Sequence, residues 1–154
     1  MTEPIRDQCL DALCYSLAAI EACAPRDNPY PLGFSLVVRG QLPRRAQNLA
    51  VVASIRDGSE RVDRLEPVTD KTMRVAIDLH AYVADDDASK VFNRVLAVAE
   101  RGVMEDPSLG GIALDTRIVG GEPDPEDTAS STISGVLLID VRFRHVPGDP
   151  WKAA

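Results

Sequence analysis

The clearest pattern along the chain is a strict alternation over residues 71–83. Met73, Val75, Ile77, Leu79, Ala81 and Val83 fall on one side, and Thr72, Arg74, Ala76, Asp78, His80 and Tyr82 fall on the other. A period of two places successive side chains on opposite faces of a strand, so this segment predicts a long strand with one firmly apolar face. Residues 132–145 repeat the pattern, with Ile133, Leu137, Ile139, Val141 and Phe143 inward and Val136, Leu138, Asp140, Arg142 and Arg144 outward. A shorter run predicts a strand at 48–56, with Leu49, Val51, Ala53 and Ile55 on one face, and another predicts one at 112–119, led by Ile112, Leu114 and Ile118. A brief strand is expected at 34–39. Asp57-Gly58 is the two-residue signal of a tight hairpin, which predicts a separate polar return strand over about 59–66. The stretch from Gly120 to Asp127 is too polar and proline-rich to enter a core, and reads as a mobile hairpin loop.

Two segments carry helical periodicity instead. In residues 3–23, Ile5, Cys9, Ala12, Leu13, Leu17 and Ile20 recur at helical spacing, with Thr2 as a cap, Pro4 tolerated in the first turn and Pro25 as the terminator. In residues 87–104, Ala88, Val91, Phe92, Val95, Leu96, Ala99 and Val103 form a continuous stripe fit to pack on a sheet. Asp85, Asp86 and Asp87 precede it, where carboxylates offset the helix dipole and cap free amides. Asp106-Pro107 and Gly110-Gly111 close it. The order of helix, strands, helix and strands, joined by short connections, predicts an α+β fold: a mostly antiparallel sheet with two main helices packed on one face. Residues 24–46, punctuated by Pro25, Pro29, Pro31 and Pro43, read as an arm or excursion.

A length of 154 residues suits a single domain spanning 1–154. With 45% apolar and 27% charged residues, the composition is that of an ordinary globular protein. The N-terminus has no apolar segment of signal-peptide type, and no apolar run reaches membrane-spanning length. The expected location is therefore inside a cell, or in an assembly built there, and no membrane partner is expected. Cys9, Cys14 and Cys23 are odd in number and wrongly spaced for a zinc or redox set, so they are expected as buried thiols.

Net charge is −7, from 17 Lys+Arg against 24 Asp+Glu. The excess is local, because residues 84–127 alone hold four basic and eleven acidic side chains. Such a stretch disfavours binding to phosphates, yet it suits either a solvated loop or the lining of a passage. Asp85, Asp86, Asp87, Glu122, Asp124, Glu126 and Asp127 are its candidate lining residues.

Reactive groups are few. Asp78 and His80 share a strand face and could orient a general base, but no nucleophile accompanies them. His145, at the end of its strand, reads as structural. No nucleophile elbow, phosphate loop, zinc helix or dinucleotide turn is present in the sequence. No catalytic residue, metal ligand or cofactor site is expected. Arg74, Asp78, His80, Tyr82, Val136, Leu138, Arg142 and Arg144 are instead strand positions of the mixed kind that subunit interfaces use, and Trp151 in the tail joins them. Two outcomes stay open for this surface: a neighbouring subunit covers it, or a loop or the first helix of the same chain does.

The order and texture of these elements resemble the tail terminator, or tail-completion, proteins of long-tailed bacteriophages, the group of the lambda minor tail protein U. The resemblance spans about 3–151. It rests on the valine-rich strand ending Arg56-Asp57-Gly58-Ser59-Glu60, the helix start Asp85-Asp86-Asp87-Ala88, the segment Leu109-Gly110-Gly111-Ile112-Ala113-Leu114-Asp115, the strand Leu137 to Arg144, and Gly148-Asp149-Pro150-Trp151 behind it. The resemblance implies a non-enzymatic, cofactor-free virion protein. It would form a ring with itself, a hexamer as is usual in the group, at the neck end of the tail after assembly in the host cytoplasm. That ring would stop tube polymerisation, meet the tail tube protein and the head–tail connector proteins, and let DNA pass without specific contact. Another connector or tube component is the alternative, and a small enzyme or ligand-binding domain is a further one.

Overall fold

The computed structural model describes residues 3–20, 30–41, 50–83, 87–124 and 132–154. In chain order the elements are α1 (Ile5–Ala18), β1 (Leu36–Arg39), β2 (Val51–Arg64), β3 (Thr69–Tyr82), α2 (Ala88–Glu105), β4 (Ala113–Pro123) and β5 (Thr132–His145). The strands form one sheet in the order β1-β2-β3-β5-β4. All neighbours are antiparallel except β1, which runs parallel to β2. This is the α+β arrangement expected from the periodicities.

The core lies between the sheet and both helices. Met73, Val75, Ile77 and Leu79 of β3 and Leu137, Ile139, Val141 and Phe143 of β5 are buried on one sheet face. Against them α1 places Ile5, Cys9, Leu10, Leu13 and Leu17, and α2 places Phe92, Val95, Ala99 and Val103. Each of the Val, Leu, Ile, Met and Phe side chains among them contributes roughly 1.5–3 kcal/mol by burial. The ion pairs at the rim, Arg6 to Glu60 (2.7 Å) and Asp57 (2.9 Å), and Arg39 to Asp7 (2.8 Å) and Asp11 (2.9 Å), are partly exposed and worth ~0–1 kcal/mol each. Burial therefore holds α1 to the sheet, and the ion pairs fix its angle.

Five expectations are corrected. Asp57-Gly58 is not a hairpin: both residues lie inside β2, which continues to Arg64. Asp57 faces Val75 and Glu60 faces Met73, so the extra residue is absorbed as a bulge. A Cβ at Gly58 would come within 2.9 Å of the Arg74 carbonyl oxygen. The long β3 offers pairing partners along its whole length, and β2 uses them. The turn is at 65–68 instead, where Glu66-Pro67 is cis.

The segment after Val119 is likewise strand rather than loop. Gly120, Gly121, Glu122 and Pro123 pair with Leu138, Leu137, Val136 and Gly135. The glycines admit this, since Gly121 leaves room for the Leu96 side chain of α2. Bulges between Ala113 and Asp115 and between Ile118 and Gly120 change which residues face inward. Leu114 is consequently exposed, while Ala113 and Thr116 are buried.

Helix α1 stops at Ala18, well before Pro25, with Pro4 at its N-cap position and no side-chain cap. A tight turn, Ile20 N–H to the Leu17 carbonyl at 3.3 Å, carries Ile20 into the core. Thr2, Cys23 and Pro25 lie outside the described residues, as do 24–29 and 42–46 of the 24–46 excursion. Cys9 is buried as expected, whereas Cys14 is only partly so. Burial pushes the two thiols up, to about 12 and about 11 respectively.

Candidate functional site: the helix-free face of the sheet

The two helices cover one face of the sheet, so the opposite face is the surface to read for function. The first helix lies on the other face and does not cover it. β3 presents Asp70, Thr72, Arg74, Ala76, Asp78 and His80 here, and β5 presents Ser134, Val136, Leu138, Asp140, Arg142 and Arg144. The register brings opposite charges together. Arg74 lies directly across from Asp140, with Nε 2.5 Å from Oδ1. Arg144 lies across from Asp70, with Nε 2.7 Å from Oδ1 and Nη2 3.3 Å from Oδ2. Arg56 of β2 reaches Asp78, with Nη2 3.0 Å from Oδ1. Arg117 of β4 pairs with Asp115 at 2.7 Å, and Arg61 with Asp63 at 2.8 Å.

The electrostatics follow from these contacts. The hydrogen bond from Arg144 holds the Asp70 carboxyl below its ordinary value. Hydrogen bonds from Thr72 and then Arg61 do the same for Asp63. The partner carboxylates in turn raise Arg74, Arg144 and Arg56. Arg142, opposite Thr72 and Asp115, makes no ion pair within 4 Å among the described residues.

An open depression of about 490 Å³ occupies one end of the face, lined by Arg56, Asp78, His80, Glu122, Asp124 and Val136 among others. Asp78 and His80 share it, as their spacing requires, but each is engaged elsewhere. Asp78 holds Arg56, and His80 Nδ1 is 3.0 Å from the Ser134 hydroxyl. Asp78 is thus paired with Arg56, and His80 with a serine hydroxyl. His145 is buried on the helix side, its Nδ1 2.8 Å from the Val146 carbonyl oxygen.

Of the residues singled out from sequence, Arg74, Asp78, His80, Val136, Leu138, Arg142 and Arg144 share this face. Tyr82 ends the same row of β3, opposite Thr132, and is 54% exposed. Trp151 is not part of it. The tail places it beside the start of α1, where the Ile5 amide donates to the Pro150 carbonyl oxygen at 3.0 Å. Glu122 and Asp124 reach the depression, while Asp87 caps α2 by accepting from the Ser89 amide at 2.9 Å. Asp85, Asp86, Glu126 and Asp127 lie outside the described residues. The sequence reading missed Arg56 and Asp70 as parts of this surface, and set Asp140 on the outer face without naming its partner. Their parity along the strands was visible, but their pairing depends on register.

No group of three or more His, Cys, Asp or Glu side chains among the described residues is arranged to hold a metal ion. No helix among them is long and apolar enough to cross a membrane. No protein-family profile and no curated protein matches the chain. Among solved structures, the chain is similar to a sheath/tube terminator in the extended state from an extracellular contractile injection system, PVC, at 14% identity and a TM-score of 0.46. The alignment takes in 100% of this chain, which spans 61% of the length of that one.

Proposed function

We propose that this chain is a structural subunit of a tail-like particle, assembling with copies of itself into a ring that ends a tail tube. The ring stops tube growth and offers the surface on which a head connector docks. It turns over no substrate. The observation that carries this reading is the helix-free face: a long strand surface of cross-paired arginines and aspartates around half-buried Val136 and Leu138. Paired charges around a few apolar positions give a surface that is specific for a protein partner and poor for a small molecule. The order of elements shared with phage tail terminators supports the ring and its position at the neck. Hexameric stoichiometry, contact with the tube protein and passage of DNA through the lumen belong to this proposal. So does a lumen lined by the acidic residues around Glu122 and Asp124, from which DNA would be repelled rather than held.

Negative-stain imaging of the purified protein tests it directly, with closed rings around a central hole as the expected result. In the particle of origin, loss of the protein should give overlong tails or tails without heads. Loss of all tubes would point to a tube component instead. A turnover abolished by Asp78→Ala with His80→Ala would overturn the non-enzymatic reading.

A further inference from the structure

We infer that copies of this chain join side by side through their sheets, with the first half of β4 of one copy pairing beside Arg61–Arg64 of β2, beyond the stretch that β1 occupies, in the next. The inference rests on the ring reading above and names the surfaces that close the ring.

Three observations carry it. The first is direction. Across β2-β3-β5-β4 every neighbour is antiparallel, so β2 and β4 point in opposite senses. A copy related by rotation about a single axis therefore sets its β2 antiparallel to the first copy's β4, and the alternation continues unbroken. An odd number of strands between the edges would have forced a parallel seam.

The second observation is availability. β4 pairs only with β5 among the described residues, which leaves its other side open over Ala113–Pro123. β1 occupies β2 only at Val52–Ile55, so Arg61–Arg64 has no strand beyond it among the described residues. Large apolar side chains are exposed at both places, Leu114 and Val119 on β4 and Val62 on β2. A long open edge with exposed apolar residues is a site that pairs unless something blocks it.

The third observation is charge. Registers can be followed across the sheet from Arg61 to Thr72, Arg142 and Asp115, which sets Arg61 and Asp115 at one level on one face. When copies meet level for level, Arg61 of one faces Asp115 of the other. Opposite charges placed across strands favour pairing, and like charges oppose it. The occupant of the β4 edge is thus a second copy, whose Arg61 stands at the level of Asp115.

A charge swap tests this. Arg61→Asp and Asp115→Arg are prepared as separate chains, and association is followed by sedimentation and imaging across protein concentration. Each variant alone should assemble at least ~10-fold more weakly than the parent, since like charges then face each other. Mixed one to one they should recover, because every seam in an alternating ring is again opposite in sign. The double variant should recover as well. Circular dichroism checks that each chain remains folded, and a Val62→Cys with Leu114→Cys pair should cross-link between copies. Rings that form equally well from all variants, without that cross-link, would overturn the edge pairing and leave the ring reading standing. A parent chain that stays monomeric at every concentration overturns the edge pairing too. The ring reading is then decided separately, by locating the protein at the ends of tubes.

Discussion

The ring of Phe92 on α2 lies over Gly135 of β5, so closely that a Cβ there would overlap its edge. The Glu122 carbonyl oxygen of β4 would stand 2.5 Å away on the same side. A side chain at this position has to displace both a helix and a strand. Gly135→Val should therefore cost about 3 kcal/mol, read as a lower urea midpoint with an unchanged slope. Gly120 is the control, because a Cβ there would meet nothing within 4 Å. Gly120→Ala should change stability by less than about 1 kcal/mol.

Acid should destabilise the protein through its paired carboxylates. Asp57, Asp63 and Asp70 are held below their ordinary values, by Arg6, by Thr72 and Arg61, and by Arg144 respectively. For Glu60, burial acts upward, but hydrogen bonds from Lys71 and Arg6 outweigh it and the net direction is also down. A depressed folded value means the unfolded chain binds protons first. The stabilisation is complete above the unfolded carboxylate value of about 4 and is lost as pH falls through that value toward the lower folded ones. Urea midpoints measured from pH 7 down to pH 3 should show this decline, and Asp70→Asn should make it shallower.

The thiol of Cys9 should be sluggish. Burial pushes it up to about 12, so almost none is thiolate near neutrality. In a chain carrying Cys14→Ser and Cys23→Ser, alkylation at pH 8 should run at least ~100-fold slower folded than in urea. The sign for stability is opposite to that of the carboxylates. The unfolded thiol loses its proton first, so stability falls as pH rises from about 8.5 toward 12.

Ion pairs on the open face and apolar contacts on the covered face should differ sharply in worth. Arg74→Ala removes a partly exposed pair with Asp140 and should change stability by no more than ~1 kcal/mol. Ile77→Ala, three residues along the same strand and fully buried, should cost about 2–5 kcal/mol. If association is measured alongside, the arginine should matter more there than in folding.

What could be read from the sequence was set by period. The alternation from Met73 to Val83 and from Ile133 to Phe143 located both central strands and both of their faces. The stripe from Ala88 to Val103 located α2 and its cap. Asp57-Gly58 misled because a hairpin signal and a bulge signal use the same residues. Only a partner strand decides between them, and β3 is long enough to hold β2 straight through. Gly120 to Pro123 misled in the same way, since β5 supplies a strand partner for residues that local preference assigns to a loop. Leu114 changed faces because a bulge shifted the parity ahead of it. At the candidate site, Arg74, Asp78, Arg142 and Arg144 were visible as one-sided. That Arg74 meets Asp140 and Arg144 meets Asp70 is a property of register, which no single strand contains.

The sheet order has a consequence for how the molecule comes into being. Of the described strands β5 is the last to leave the ribosome, yet it sits between β3 and β4 near the middle of the sheet. Until it arrives, β3 has one side without a partner, and β4 has no strand to pair with among the described residues. The greater part of the fold thus waits on residues 132–145, and the pairings it waits for are long-range ones, which form slowly. An interrupted chain lacking this strand would display the backbone edge of β3 with Met73, Val75 and Ile77 unsealed, an invitation to aggregation and to the proteases that clear it.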